Sequence, residues 1–124
     1  MIKPGKALEE VQRIVQTALE DIKAENVVVL DVRRRTSITD LMVFASGRSR
    51  RHVRSIADRV LEAAKHNAIH ALGVEGEDSA EWILIDLGDV VVHVMQPATR
   101  EFYRLEHVWG MESEDEIRGF EERS

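Results

Sequence analysis

The chain has 124 residues, one domain's worth. Its 44% hydrophobic and 32% charged residues are a globular composition, not a disordered or fibrous one. The absence of cysteine excludes a disulfide scaffold, a thiolate zinc site and a cysteine nucleophile, and the net charge of −6 excludes a coat of bulk basic charge for nucleic acid.

No apolar run nears the ~20 residues that span a bilayer. Met1 to Gly5 leads into an amphipathic segment rather than a signal-peptide core. A soluble cytoplasmic protein with no membrane partner is therefore expected. The charge is uneven. Residues 33–65 carry nine basic side chains against three acidic ones, and six acids fall in the last thirteen residues. That pattern suits one basic face in acidic surroundings, or ordinary solvated helix faces.

Residues 6–24 predict a helix, with Leu8, Val11, Val15, Ala18 and Ile22 on one stripe. Val27 to Leu30 is a β-branched run of the kind buried on both faces. Leu41 to Ala45 is a second strand. The polar connection between them is too short for a crossover helix, so the two are expected to pair antiparallel. Residues 49–65 predict the second helix, N-capped by Ser49 and striped by Val53, Ile56, Ala57, Val60, Leu61 and Ala64. A short third strand is expected within 68–74, followed by an acidic loop, 75–79.

The strongest local signal is the pair of apolar runs 82–87 and 90–95 around Gly88-Asp89, which predicts a hairpin with a type II′ turn. In that register Ile83, Ile85, Leu87, Val90, Val92 and Val94 share one aliphatic face. Trp82, Leu84, Asp86, Val91, His93 and Met95 share the other. A last helix is expected from Pro97 to about Trp109, stopped by Gly110, with an acidic tail beyond. The fold class is a single α/β domain, a mixed β-sheet with flanking helices in the order αββαβββα.

Candidate chemistry is sparse. Ser46-Gly47-Arg48-Ser49 joins a strand to a helix start but lacks the lysine and glycine spacing of a P-loop. Structural capping is the expected role. A nucleotidyltransferase needs paired carboxylates to hold Mg²⁺ against a triphosphate, and Asp86 stands alone on its strand. His52, His66 and His70 have no metal-site spacing and are expected at the surface. No metal and no cofactor are expected. Asp86 and His93 are diagonal cross-strand neighbours, which suits the back half of a hydrolytic triad or a polar pair within a protein-binding patch. Ser46 and Ser49 are the only guesses for a nucleophile, with no elbow motif around them. The patch is favoured: Trp82, Leu84, Asp86, His93 and Met95, with Tyr103 at its edge.

Three ordered blocks carry a family resemblance. They are Asp40 to Gly47 with Ser49 and His52-Val53, then Glu81 to Val94, then Arg100 to Glu106 with Trp109. Together, over residues 7–110, they resemble the ribosomal silencing factor, or Iojap, family. The resemblance implies a nucleotidyltransferase-like core without catalytic carboxylates and a non-enzymatic role. Its members bind the large ribosomal subunit at its fourteenth protein, block joining of the small subunit and repress translation when nutrients are short. It implies a domain over 1–110 and leaves 111–124 as an acidic C-terminal tail. Leu41 and Leu87 stand where an aromatic residue is expected in many members, which bears on partner contacts. The basic segment is a candidate for rRNA contact. A homodimeric scaffold and a nucleotide-binding or nucleotidyltransferase-like enzyme are the alternatives.

Overall fold

The structure, a computed structural model, describes residues 7–103. Helix α1 (Leu8–Asp21) is followed by strands β1 (Glu25–Asp31) and β2 (Leu41–Ser46), helix α2 (Arg50–His66), strands β3 (Gly73–Glu75), β4 (Trp82–Asp86) and β5 (Val90–Met95), and helix α3 (Pro97–Tyr103). The order αββαβββα is the expected one. The sheet runs β1-β2-β5-β4-β3. Every neighbouring pair is antiparallel except β2 and β5, which are parallel at the centre. The predicted end of the third helix at Trp109-Gly110 and the tail 111–124 lie outside the described residues.

Both long helices lie on one face of the sheet. Val11, Val15, Ala18 and Leu19 of α1 and Val53, Ile56, Ala57, Val60 and Ala64 of α2 pack with Val43, Ile83, Ile85, Val90, Val92 and Val94 into one core. Leu41 and Leu87 belong to this core too, so their departure from the expected aromatics changes packing and not a surface contact. Burying this many aliphatic side chains is the main source of stability, at ~1.5–3 kcal/mol for each large one. Gly47 lets α2 close onto β2, since a Cβ there would sit 2.9 Å from a Val53 methyl.

The helix ends follow from local chemistry. Ser49 Oγ accepts the His52 backbone N–H at 3.0 Å, the predicted cap of α2. Both helices end in the same wrap: Ala24 N–H donates to Leu19 O, and Ile69 N–H to Ala64 O. Lys23 (φ 59°) and Ala68 (φ 60°) hold the left-handed position between, where glycine is the usual residue.

Strand β1 corrects an expectation. Its β-branched run is not buried on both faces. The strand is the edge of the sheet, Val27 is 36% exposed and Val28 to Leu30 are half-buried. Its register with β2 shifts between Glu25 and Val28, where Asn26 takes φ 51°. Such irregularity is common at sheet edges and discourages pairing with another chain.

Candidate functional site

The hairpin forms in the expected register. Ile85 faces Val92, Asp86 faces Val91, and Leu87 N–H donates to Val90 O across a two-residue loop. Gly88 takes φ +92°, and Asp89 has no positive φ, as a type II′ turn requires. Asp86 tightens the turn by accepting the Gly88 N–H through Oδ1 at 2.8 Å.

The sheet face away from α1 and α2 carries the predicted patch. Register places Val28 and Leu30 of β1, Met42, Phe44 and Ser46 of β2, Val91, His93 and Met95 of β5, and Trp82, Leu84 and Asp86 of β4 on this side. On the far side of β4, Gly73 lies opposite Asp86 and Glu75 opposite Leu84. Gly73 has no side chain, and among the described residues nothing lies within 4 Å of where one would sit, so the flank is open beside Asp86, while Glu75 stands beside Leu84. Further back, Gly76 (φ +89°) lets the chain pass close under the Trp82 carbonyl, where a Cβ would collide with the oxygen.

The patch residues divide by burial. Trp82, Leu84 and Asp86 are half-buried and form a row. His93 (5% exposed) and Met95 (0%) are buried, which corrects the expectation that they stand open on the face. Met95 packs in a second small core with Val32, Met42 and Phe44, against which Val28, Leu30 and Trp82 lean. Tyr103 ends α3, and its side chain lies outside the described residues.

His93 is the polar centre of this face. Its ring stacks on Phe44, centroids 4.7 Å apart and planes 9° from parallel. Its Nδ1 accepts the Trp82 indole N–H at 3.1 Å, and its Nε2 has no partner among the described residues. Burial without a compensating charge pushes the imidazole down from 6.5 to about 4, so it is neutral at physiological pH. The Asp86–His93 pair does not form: Asp86 is taken by the turn and His93 by Trp82. The triad alternative falls with it. Ser46 is buried and accepts from Arg100 Nη1 at 2.9 Å, and Ser49 caps α2.

The basic segment is not one face. Arg33 to Arg35 precede β2 and Arg48 to Arg54 follow it, so a six-residue strand of roughly 17 Å separates them. Most of these arginines are engaged. Arg33 pairs with Asp31 and holds its carboxyl down at about 2 through hydrogen bonds. Arg48 pairs with Glu25, Arg50 with Glu81, and Arg59 with Asp21 and Glu62. Arg54 donates to the Glu77 and Asp78 carbonyls and holds the acidic loop against α2. Among the described residues, no group of three His, Asp or Glu side chains is placed to hold a metal ion.

Two features were not found from sequence. His52, expected at the surface, is half-buried: its Nδ1 accepts the Arg48 N–H at 3.0 Å and its Nε2 lies 2.9 Å from the Ile22 carbonyl, tying the end of α1 to the start of α2. A groove of about 510 Å³ also runs between the outer sides of α1 and α2, past Ile14, Ala18, Arg59 and Ala63. The groove has no motif, and the family block that holds His52 gives no sign of its contact with Ile22, because each feature joins residues distant in the chain.

A family model described as ribosomal silencing factor during starvation matches residues 5–124, a span that takes in the acidic segment 111–124. The chain is similar to the ribosomal silencing factor RsfS of Chromobacterium violaceum, with 42% identity over 83% of this chain and 84% of that one. A crystal structure of a Chromobacterium violaceum protein aligns with a TM-score of 0.84 at 40% identity, covering 87% of this chain and 90% of that chain. A mouse protein named for mitochondrial assembly of the ribosomal large subunit is 33% identical over 79% of this chain and 44% of its own length.

Proposed function

Because the chain belongs to the ribosomal silencing factor family, we propose that it binds the large ribosomal subunit through that subunit's fourteenth protein, blocks joining of the small subunit and so represses translation under nutrient limitation, without catalysing a reaction. The match of the family model along residues 5–124 carries this reading. The name of the mouse relative supports the large subunit as the partner. Residues 1–110 are taken as the silencing domain and 111–124 as an acidic tail.

The docking surface is assigned to the β4 row, Trp82, Leu84 and Asp86, with His93 and Met95 beneath it and Tyr103 at its edge. A hairpin fixed by its turn and backed by a full core suits recognition, because a rigid surface loses little freedom on binding. Glu75, exposed, stands beside Leu84 in the row, while the exposed Glu81 is paired with Arg50 of α2. Acidic groups around an aromatic anchor favour a basic protein surface and speed encounter with it. Arg34 and Arg35, both exposed and with no ion-pair partner among the described residues, are assigned to any rRNA contact.

Sucrose-gradient sedimentation of tagged protein with separated subunits tests the function. Co-migration with large subunits and not with small ones, with subunit joining inhibited, is expected. Equal sedimentation with both, or translation unaffected at saturating protein, overturns it. A thermal shift induced by Mg²⁺–ATP would instead favour the enzyme alternative. A stable dimer indifferent to ribosomes would favour the scaffold.

A further inference from the structure

The buried imidazole of His93 is a poor choice for packing alone. An indole N–H only donates, so the His93 Nδ1 that accepts it from Trp82 carries no proton. The ring's single proton is therefore on Nε2, which is buried and has no partner among the described residues. A buried donor without an acceptor is destabilising and uncommon in native proteins. Phenylalanine here would stack on Phe44 as the imidazole does and would bury no donor. What phenylalanine lacks is an acceptor for Trp82. Histidine is thus worse for the core and better for the tryptophan.

The three rings form a chain across the sheet. Phe44 on β2 sets the plane of His93 on β5, and His93 sets the direction of the Trp82 indole on β4. The orientation of the half-buried tryptophan is thereby fixed from the centre of the sheet.

We propose that His93 is a positioning residue, whose Nδ1 holds the Trp82 indole in the orientation on which the large ribosomal subunit docks. This rests on the docking role of Trp82 given above. A tryptophan free to turn has to be ordered on binding, and ordering a side chain lowers affinity. A tryptophan already bonded to a buried partner avoids that loss.

The test compares the wild type with Trp82→Ala, His93→Phe and His93→Gln. For each, affinity for isolated large subunits, urea unfolding and the indole N–H resonance of Trp82 are measured. The resonance is assigned by its absence in Trp82→Ala. His93→Phe should unfold at the same or a higher urea concentration, lose the bonded indole resonance and bind about tenfold more weakly. A purely structural role predicts the opposite, with stability and binding moving together. If His93→Phe binds like the wild type while Trp82→Ala does not, the positioning role is wrong and the docking surface stands. If Trp82→Ala itself binds like the wild type, both are wrong. Should His93→Phe fail to fold, His93→Gln, which keeps an acceptor, decides. Affinity that follows the indole resonance supports the proposal, and affinity that parts from it overturns it.

Discussion

The two faces of one sheet are built to different ends. On the helix side every inward residue of β4 and β5 is aliphatic, from Ile83 to Val94, and all are buried. Such a surface is satisfied by area alone, and many exchanges of similar volume would serve. The other side mixes a tryptophan, a histidine, two methionines, a phenylalanine and an aspartate, and its burial is graded from Met95 to Trp82. There, geometry matters at individual atoms: Trp82 Nε1 against His93 Nδ1, and Asp86 Oδ1 against the Gly88 N–H. The first face holds the domain together. The second is where identity at one position changes what the molecule can recognise.

That division can be broken most directly in the aliphatic face. Ile85→Ala should lower stability by ~2–5 kcal/mol through a core cavity, read by urea unfolding, while the folded fraction still binds large subunits normally. A loss of binding larger than the loss of folded protein would mean the faces are not separable.

Acid tests the second face. Between pH 6.5 and about 4 the unfolded imidazole of His93 binds a proton that the folded one does not. Stability therefore falls as pH drops through that window, by about 3 kcal/mol from this group. His93→Phe should flatten that part of the curve, and an unchanged slope would place the acid sensitivity elsewhere.

Trp82→Ala sharpens the contrast from the other direction. It should weaken large-subunit binding roughly 10–100-fold, equivalent to about 1.4–2.8 kcal/mol, with far-UV circular dichroism near wild type. Unfolding of the domain without a binding defect in the folded fraction would reverse the assignment of the faces.

Two smaller effects belong to neither face and set the baseline. Ser49→Ala should cost ~1 kcal/mol of stability through loss of the α2 cap. Ala68→Gly should raise stability by ~0.5–1 kcal/mol by relieving a left-handed alanine. Both are read from urea midpoints at constant slope.

The sequence made the aliphatic face legible because its signal is local. A glycine at a turn flanked by alternating residues fixes register, and register fixes the side of every following side chain. Ser49 was legible for the same reason, since a cap acts three residues away. The edge position of β1 was not, because Val27 to Leu30 has the composition of a central strand and its place depends on β2 pairing with β5 across most of the chain. The partner of His93 was not legible either. Leu84 lies opposite it, so Trp82 and Asp86 are its two diagonal neighbours, and register alone offers both. The choice fell to the Gly88 N–H, which occupies Asp86. Burial of His93 and Met95 escaped alternation, which says which side a residue faces but not how deeply that side is covered.

The central parallel pair has a kinetic consequence. Leu41 pairs with Val90 and Ser46 with Met95, while α2, β3 and β4 lie between them in the chain. Pairings this distant in sequence close late, after a large loss of chain entropy. The β4–β5 hairpin is local and should form early, while α1, β1 and β2 wait for β5 to complete their core. On a translating ribosome that order means the first half of the protein stays unfinished until nearly all the described chain has emerged. An assembling copy thus passes through a stage with β2 lacking its central neighbour, and that stage is where the chain is most exposed to aggregation.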